Sequence, residues 1–244
     1  MKNVIIIIPA RLKSTRLPGK PLKTINNKPL IYWTWKNCAK AISVSKIFVA
    51  TDSKKIIKVC NQYGIQSIIT SSRCLTGTDR VADAIKKITK ITNKIIINIQ
   101  GDEPYINYLD IKKFISFSIK NKSSVTNAYT ELYNKKLFEN KNIPKVILKK
   151  NNDLLYMSRS SIPGSKKKIS YTNKQICMYG FPKKILTDLF GINKKKTPLE
   201  KIEDIEILRF IENNIPVKMI KVGDNKLSID TKFDLRMARK LKIN

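Results

Sequence analysis

Four cations, Arg11, Lys13, Arg16 and Lys20, fall within the stretch PARLKSTRLPGKPL, with prolines and Gly19 among them and no acid. Guanidinium forks and ammonium groups are the side-chain donors best suited to phosphate oxygens. An irregular path imposed by Pro and Gly adds free backbone amides. The composition suits a polyphosphate, such as the triphosphate of a nucleotide; on this feature alone a solvated basic loop is the alternative. The loop is neither a GxxxxGK[ST] phosphate loop nor a GxGxxG dinucleotide fingerprint.

Two carboxylates stand out. Asp102 follows the apolar run IINI in IINIQGDEP, where Gly101 permits a sharp turn. An acid at a strand's carboxyl edge, facing a polyphosphate, is a natural Mg²⁺ ligand, because Mg²⁺ is commonly held by one or two carboxylates plus phosphate oxygens and water. The alternative is a turn whose acids face solvent. Asp230 repeats the pattern in LSIDTKFDL, either as a second metal carboxylate or as the N-cap of the last helix, and spacing alone favours the cap. Thr76, Gly77 and Thr78 precede a helical pattern in CLTGTDRVADAI, so their amides could hold a ring carbonyl or phosphate, or simply be capped. The chain contains no histidine, which excludes Ser-His-Asp and Cys-His mechanisms.

These residues need elements to position them. Val4–Ile8, Lys46–Thr51, Gln66–Thr70 and Lys94–Gln100 read as short buried strands. Helical patterns run over Leu30–Ala41, about Lys54–Tyr63 and Asp79 to about Thr89. Near-continuous apolar strands alternating with amphipathic helices predict a mainly parallel sheet covered on both faces, with its site at the carboxyl ends of the strands. From Val125 the pattern shifts to antiparallel or mixed strands: VTNAYTEL, KVILKK, LLYMSRSSIP, and KQICMYGFPKKIL running into a helix. Thr197–Asn214 reads as one helix, with Thr197 as N-cap and Pro198 first. PVKMIKV and KLSIDT read as late strands and FDLRMARKLK as a closing helix.

Length and composition set the frame. With 244 residues, 42% hydrophobic and 27% charged, the chain can bury a sizeable core. Four scattered cysteines form no CxxC pair, which suits a reducing cytosol. No apolar run reaches membrane-spanning length and the N-terminus carries no signal-peptide pattern, so a cytoplasmic protein with no membrane partner is expected. The net charge of +31 is the one feature that suggests nucleic acid. The triplets KKK at 166–168 and 194–196 lack the interleaved aromatics that stack bases. Lys, Ile and Asn are abundant throughout, so the charge reads as compositional background and no nucleic-acid partner is expected.

Taken together, PARLKSTRLPGKPL, TGTDR, NIQGDEP, LYMSRSSIP, PLEKIEDIEILR and SIDTKFDL, in this order, resemble the 3-deoxy-manno-octulosonate (KDO) cytidylyltransferase, or CMP-KDO synthetase, family over nearly the whole chain. The resemblance implies an α/β, single-domain nucleotidyltransferase fold (nucleotide-diphospho-sugar transferase-like). It has a mainly parallel central sheet flanked by helices, a nucleotide-binding half over about 1–120, and an inserted acceptor-binding and dimerisation lobe over about 125–215 of 1–244. It further implies a homodimer that couples CTP to the anomeric hydroxyl of KDO and releases pyrophosphate, with Mg²⁺ as cofactor, for lipopolysaccharide synthesis.

Carried onto this sequence, Arg11 and Lys20 bind the CTP phosphates, Ala10, Ser14 and Arg16 shape that loop, and Thr76, Gly77 and Thr78 help to hold the cytosine. Asp102 and Asp230 hold Mg²⁺ and, with Arg11 and Lys20, form the catalytic set. Gln100, Arg159, Gln175, Tyr179 and Glu200 line the acceptor pocket. Departures from the family pattern cluster in the acceptor half. Gln175, in QICMYGF, stands where a histidine is usual, Cys177 replaces a glycine, and Ile207, in IEILR, replaces a glutamine. The alternatives are the same transfer to a different sugar acid, such as an amino-KDO, and a basic nucleic-acid-binding protein.

Overall fold

The computed structural model describes residues 3–14, 16–88, 95–166, 171–224 and 228–241. At its centre lies β1 (Val4–Ala10), in which every residue is buried. Successive side chains of a strand point to opposite faces. Val4, Ile6 and Ile8 therefore enter the core on one side of the sheet, and Ile5 and Ile7 the core on the other. A strand covered on both faces must be apolar throughout, which accounts for the unbroken run VIIII.

After β1 the chain forms a short hairpin, β2 (Thr24–Ile25) and β3 (Lys28–Pro29), turned by Asn26 and Asn27 at φ 48° and 58°, the left-handed pair that a two-residue hairpin favours. Then follow α1 (Leu30–Ala41), β4 (Ile47–Thr51), α2 (Lys54–Gln62), β5 (Ser67–Ile69), α3 (Gly77–Lys87) and β6 (Ile95–Ile99). β4 and β6 flank β1 in parallel, and β5 extends β4 in parallel, as the alternating pattern predicts. Thr89 and Lys94, the expected ends of α3 and β6, lie outside the described residues.

The second half comprises α4 (Tyr108–Lys120), β7 (Val125–Leu132), α5 (Lys135–Glu139), β8 (Lys145–Leu148), β9 (Leu154–Ser158), β10 (Thr172–Pro182), α6 (Lys183–Leu189), α7 (Pro198–Glu203), α8 (Leu208–Glu212), β11 (Val217–Lys221) and α9 (Lys232–Lys240). β10 runs antiparallel between β6 and β7, β11 lies parallel to β7, and β8 and β9 form a hairpin beside the outer end of β10. The sheet order is β11-β7-β10-β6-β1-β4-β5. α4 is not among the expected elements, although its Asn107 cap and its buried Ile111, Phe114 and Ile115 carry the helical signal.

Two expectations need correction. The helix expected over Thr197–Asn214 is two short helices, because Asp204 adopts a left-handed conformation at φ 50°. The fold-back brings Arg209 onto Glu200, with Nε 2.6 Å and Nη2 2.9 Å from its two oxygens. In one continuous helix, residues nine apart would sit about 13 Å apart along the axis. Glu212 then caps the first helix, accepting from Leu199 N at 2.9 Å. The strand expected over KLSIDT is also absent from Ser228 to Thr231, while Lys226 and Leu227 lie outside the described residues. Ser228–Thr231 instead ties the turn after β6 to α9: Ile229 N donates to Asp102 O at 3.3 Å, and Ser228 Oγ to Glu103 at 2.8 Å.

Candidate active site

A cleft of about 950 Å³ opens at the carboxyl ends of β1 and β6. One wall is the loop from Arg11 to Leu22. Its path is set locally: Gly19 sits at φ 69°, a left-handed value that disfavours other residues, and its N–H donates to Leu12 O at 3.1 Å. Ser14 Oγ accepts from Leu17 N at 3.4 Å. Leu17 then anchors the loop in a small apolar cluster with Ile25, Trp33, Ile229 and Leu235. That cluster carries α9 and the segment before it, and so brings Asp230 to the cleft although it is 210 residues from Lys20.

Opposite stands the turn after β6. Gly101 lets the backbone approach closely there, since a Cβ would lie 3.0 Å from Pro9 O and 3.2 Å from Ile31 Cδ1, tighter than ordinary contact. The close approach of the two strand ends delivers Asp102 to the cleft. Lys20 Nζ lies between the carboxylates, 2.6 Å from Asp102 Oδ2 and 2.9 Å from Asp230 Oδ1, and Arg16 Nη2 lies 3.1 Å from the same Asp230 oxygen. Burial alone would lower the Lys20 pKa, but the two carboxylates outweigh it and raise it above the ordinary lysine value. Burial would likewise raise Asp230, yet Lys20, Arg16 and Arg159 hold it below the usual aspartate range. Asp230 is not the cap of α9. Thr231 fills that position, accepting from Asp234 N at 3.1 Å.

The carboxylate pair fits a hard divalent cation. Two oxygens converge on one cationic nitrogen, and Arg11 and Lys13 line the same cleft where phosphate oxygens would complete the coordination. Among the described residues no group of three or more His, Cys, Asp and Glu side chains gathers to hold a metal.

Ala10, Arg11, Ser14, Arg16, Lys20, Thr76, Gly77, Gln100, Asp102 and Asp230 all line the cleft. The amides of Gly77 and Thr78 are already engaged: they donate to the two oxygens of Glu206 at 3.1 and 2.8 Å. Glu206 also lines the cleft; burial raises its pKa against the opposing pull of the Thr78 and Gly77 hydrogen bonds. Its signal lies in IEDIEILR, but one continuous helix over that segment would hide its direction. Arg80, which ends the motif TGTDR, is a further lining residue with no role in the sequence reading. It is 3% exposed, and its Nη1 and Nη2 lie 2.7 Å from Thr70 Oγ1 and 3.2 Å from Asp52.

The residues expected to line an acceptor pocket do not gather as one set. Gln100 lines the cleft. Arg159 is gripped by α7, with its N–H donating to Glu203 Oε2 at 2.8 Å, Nε to Glu203 O at 2.6 Å and Nη2 to Asp204 O at 2.9 Å. Gln175 Nε2 donates to Asn127 Oδ1 at 3.1 Å. Tyr179 is 5% exposed and packs parallel to Phe181, with burial pushing its phenol well above the usual range. Glu200 is fully buried in the Arg209 ion pair, away from the cleft lining, because the fold-back turns it inward. Ile207 is 1% exposed and part of the core.

A family model described as cytidylyltransferase matches residues 5–221. The chain is 36% identical to the 3-deoxy-manno-octulosonate cytidylyltransferase of Thermodesulfovibrio yellowstonii, covering 97% of this chain and 96% of that one. The chain belongs to the 3-deoxy-manno-octulosonate cytidylyltransferase family. The homologue from Fusobacterium nucleatum is 38% identical over 95% of this chain and 94% of its own. A solved CMP:2-keto-3-deoxy-manno-octonic acid synthetase complexed with CTP superposes with a TM-score of 0.85 at 27% identity, covering 98% of this chain and 99% of that one. The fold is therefore that of a cytidylyltransferase: one mixed α/β domain with a mostly parallel central sheet between helices.

Proposed function

We propose that this cytidylyltransferase transfers CMP from CTP to the anomeric hydroxyl of 3-deoxy-manno-octulosonate and releases pyrophosphate. The observation that carries the reading is the cleft itself, in which Arg11, Arg16 and Lys20 face Asp102 and Asp230 at the carboxyl ends of β1 and β6. Relatives bearing that activity in their names, at 36% and 38% identity over nearly the full length, support the choice of substrates.

The reaction forms one P–O bond from the sugar oxygen to the α-phosphorus and breaks the P–O bond to the pyrophosphate. Such a displacement depends on in-line positioning and charge neutralisation more than on covalent chemistry, so a protein without histidine can perform it. Arg11, Arg16 and Lys20 bind and orient the triphosphate and stabilise the negative charge gathering on the departing pyrophosphate. Asp102 and Asp230 hold Mg²⁺, which when bound neutralises phosphate charge and lowers the pKa of the attacking hydroxyl. Arg159 has its Nε and Nη2 engaged by the Glu203 and Asp204 carbonyls, so it contributes positive charge near Asp230 and not a free fork for the acceptor's carboxylate. Gln100, on the wall of the same cleft, offers both a donor and an acceptor to the sugar hydroxyls.

A homodimer fits the exposed Tyr133, Tyr171 and Leu155, at 69%, 55% and 50%, in the β7–β10 region and its adjoining hairpin. A cytoplasmic setting fits four free cysteines and, among the described residues, no helix long and apolar enough to cross a membrane. A second reading, the same transfer to a related sugar acid, is favoured by Gln175, a neutral amide turned toward Asn127. The test is pyrophosphate release from CTP and Mg²⁺ with KDO, with amino-KDO, and without acceptor. Release with KDO supports the proposal. Release only with another sugar acid supports the second reading, and release with neither, from folded protein, refutes both.

A further inference from the structure

We infer that Lys20 is a built-in substitute for the metal: without nucleotide its ammonium closes the Asp102–Asp230 pair, and a divalent cation enters only when a triphosphate draws Lys20 away. This rests on the assignment of Asp102 and Asp230 as metal ligands. Lys20 Nζ contacts one oxygen of each, at 2.6 and 2.9 Å, and its side chain is 13% exposed while theirs are 31% and 30% exposed. Its ammonium, within hydrogen-bond distance of both carboxylates, occupies the place a shared cation would take.

The backbone of Lys20 is fixed and its stem is not. Lys20 begins a single 3₁₀ turn, Lys20–Leu22, between left-handed Gly19 and buried Pro21. Its N–H donates to Leu17 O at 3.1 Å, and Lys23 N donates back to its carbonyl at 3.1 Å. Any movement is confined to a flexible four-carbon chain ending in a compact point charge. Arg16 Nη2 shares the same Asp230 oxygen at 3.1 Å, so a second cation strengthens the closure.

An ammonium and a divalent ion cannot share this position, since like charges a few ångströms apart repel strongly in a partly desolvated site. A triphosphate entering beside Arg11 and Lys13, which line the same cleft, offers Lys20 and Arg16 a denser set of anionic oxygens. It removes the two closing cations and adds ligands for the metal in one event. Metal and nucleotide binding are then mutually favourable, and by linkage each strengthens the other. In the ligand-free protein the two acids stay paired rather than facing each other uncompensated.

The test is Mn²⁺ binding to the full chain without acceptor, followed by electron paramagnetic resonance of the free ion. The proteins are wild type, Lys20→Met, Lys20→Gln and Lys20→Met/Asp102→Asn, with folding checked by circular dichroism. Without nucleotide, wild type binds Mn²⁺ weakly, both single variants bind it about tenfold or more tightly, and the double variant loses that gain. The inference is overturned if wild type without nucleotide binds as tightly as Lys20→Met, or if neither single variant gains. If CTP also fails to promote Mn²⁺ binding by wild type beyond what CTP binds alone, the metal assignment itself falls. If CTP does promote it while the variants show no gain, only the substitute role of Lys20 falls.

Discussion

Replacing Glu200 by Gln separates a core ion pair from a substrate contact. Glu200 is fully buried, and its two oxygens accept from Arg209 Nε at 2.6 Å and Nη2 at 2.9 Å. Arg209 is 1% exposed, lies 3.8 Å above the Phe190 ring centroid and reaches Asp79 at 3.3 Å. Removing one partner of a buried pair typically costs about 3–5 kcal/mol, because the other charge is left uncompensated. Asp79 remains beside Arg209, which places the expected loss near the lower end, about 3 kcal/mol. For a domain of this size that is a fall in melting temperature of roughly 6–12 °C. The assay is urea and thermal denaturation beside steady-state kinetics well below the transition. The expected outcome is a large stability loss with the acceptor KM within about twofold of wild type. A melting temperature within about 2 °C of wild type, with an acceptor KM raised about tenfold or more, would refute the structural role and return Glu200 to the substrate site.

Asp102→Asn and Asp230→Asn each lower turnover about 100-fold or more while circular dichroism stays native, and near-normal pyrophosphate release from either variant removes it from the metal pair. Gln175→His raises kcat/KM for KDO if the pocket has only drifted from the family pattern; a fall, with a gain for no other acceptor, ties the Gln175–Asn127 bond to the reaction. Asp230 is held below the usual aspartate pKa of 3.8, so the stability it contributes is fully present above that value and is lost as pH falls through its lower folded value. The acid limb of a plot of urea midpoint against pH should therefore flatten in Asp230→Asn, and an unchanged limb would show that the pairing with Lys20 adds no stability.

Local chemistry was legible where it was decided by neighbours in the chain. The run VIIII must be a strand covered on both faces, because nothing in it can face water. Asp102 after Gly101, and the cationic loop after β1, could be placed at one edge of the sheet because parallel strands present their carboxyl ends together. The capping box of Thr76 and Asp79 is a four-residue pattern. The family, too, was legible from the chain alone, since PARLKSTRLPGKPL and NIQGDEP each keep their residue types and spacing within a single short segment.

Other features depended on contacts distant in sequence. Asp230 has the signature of a helix cap, and only the apolar cluster joining Leu17 to Ile229 turns it toward Lys20. The segment from Thr197 to Asn214 has an unbroken helical pattern, yet it breaks at Asp204, and the fold-back joins Arg209 to Glu200 and Asp79 in the core. That fold-back withdraws Glu200 from the cleft, while Glu206, six residues on, lines it. Periodicity measures which side of a helix is apolar. It carries no information about a buried charge that finds its partner only after the chain turns back, and a charge inside a core must find one.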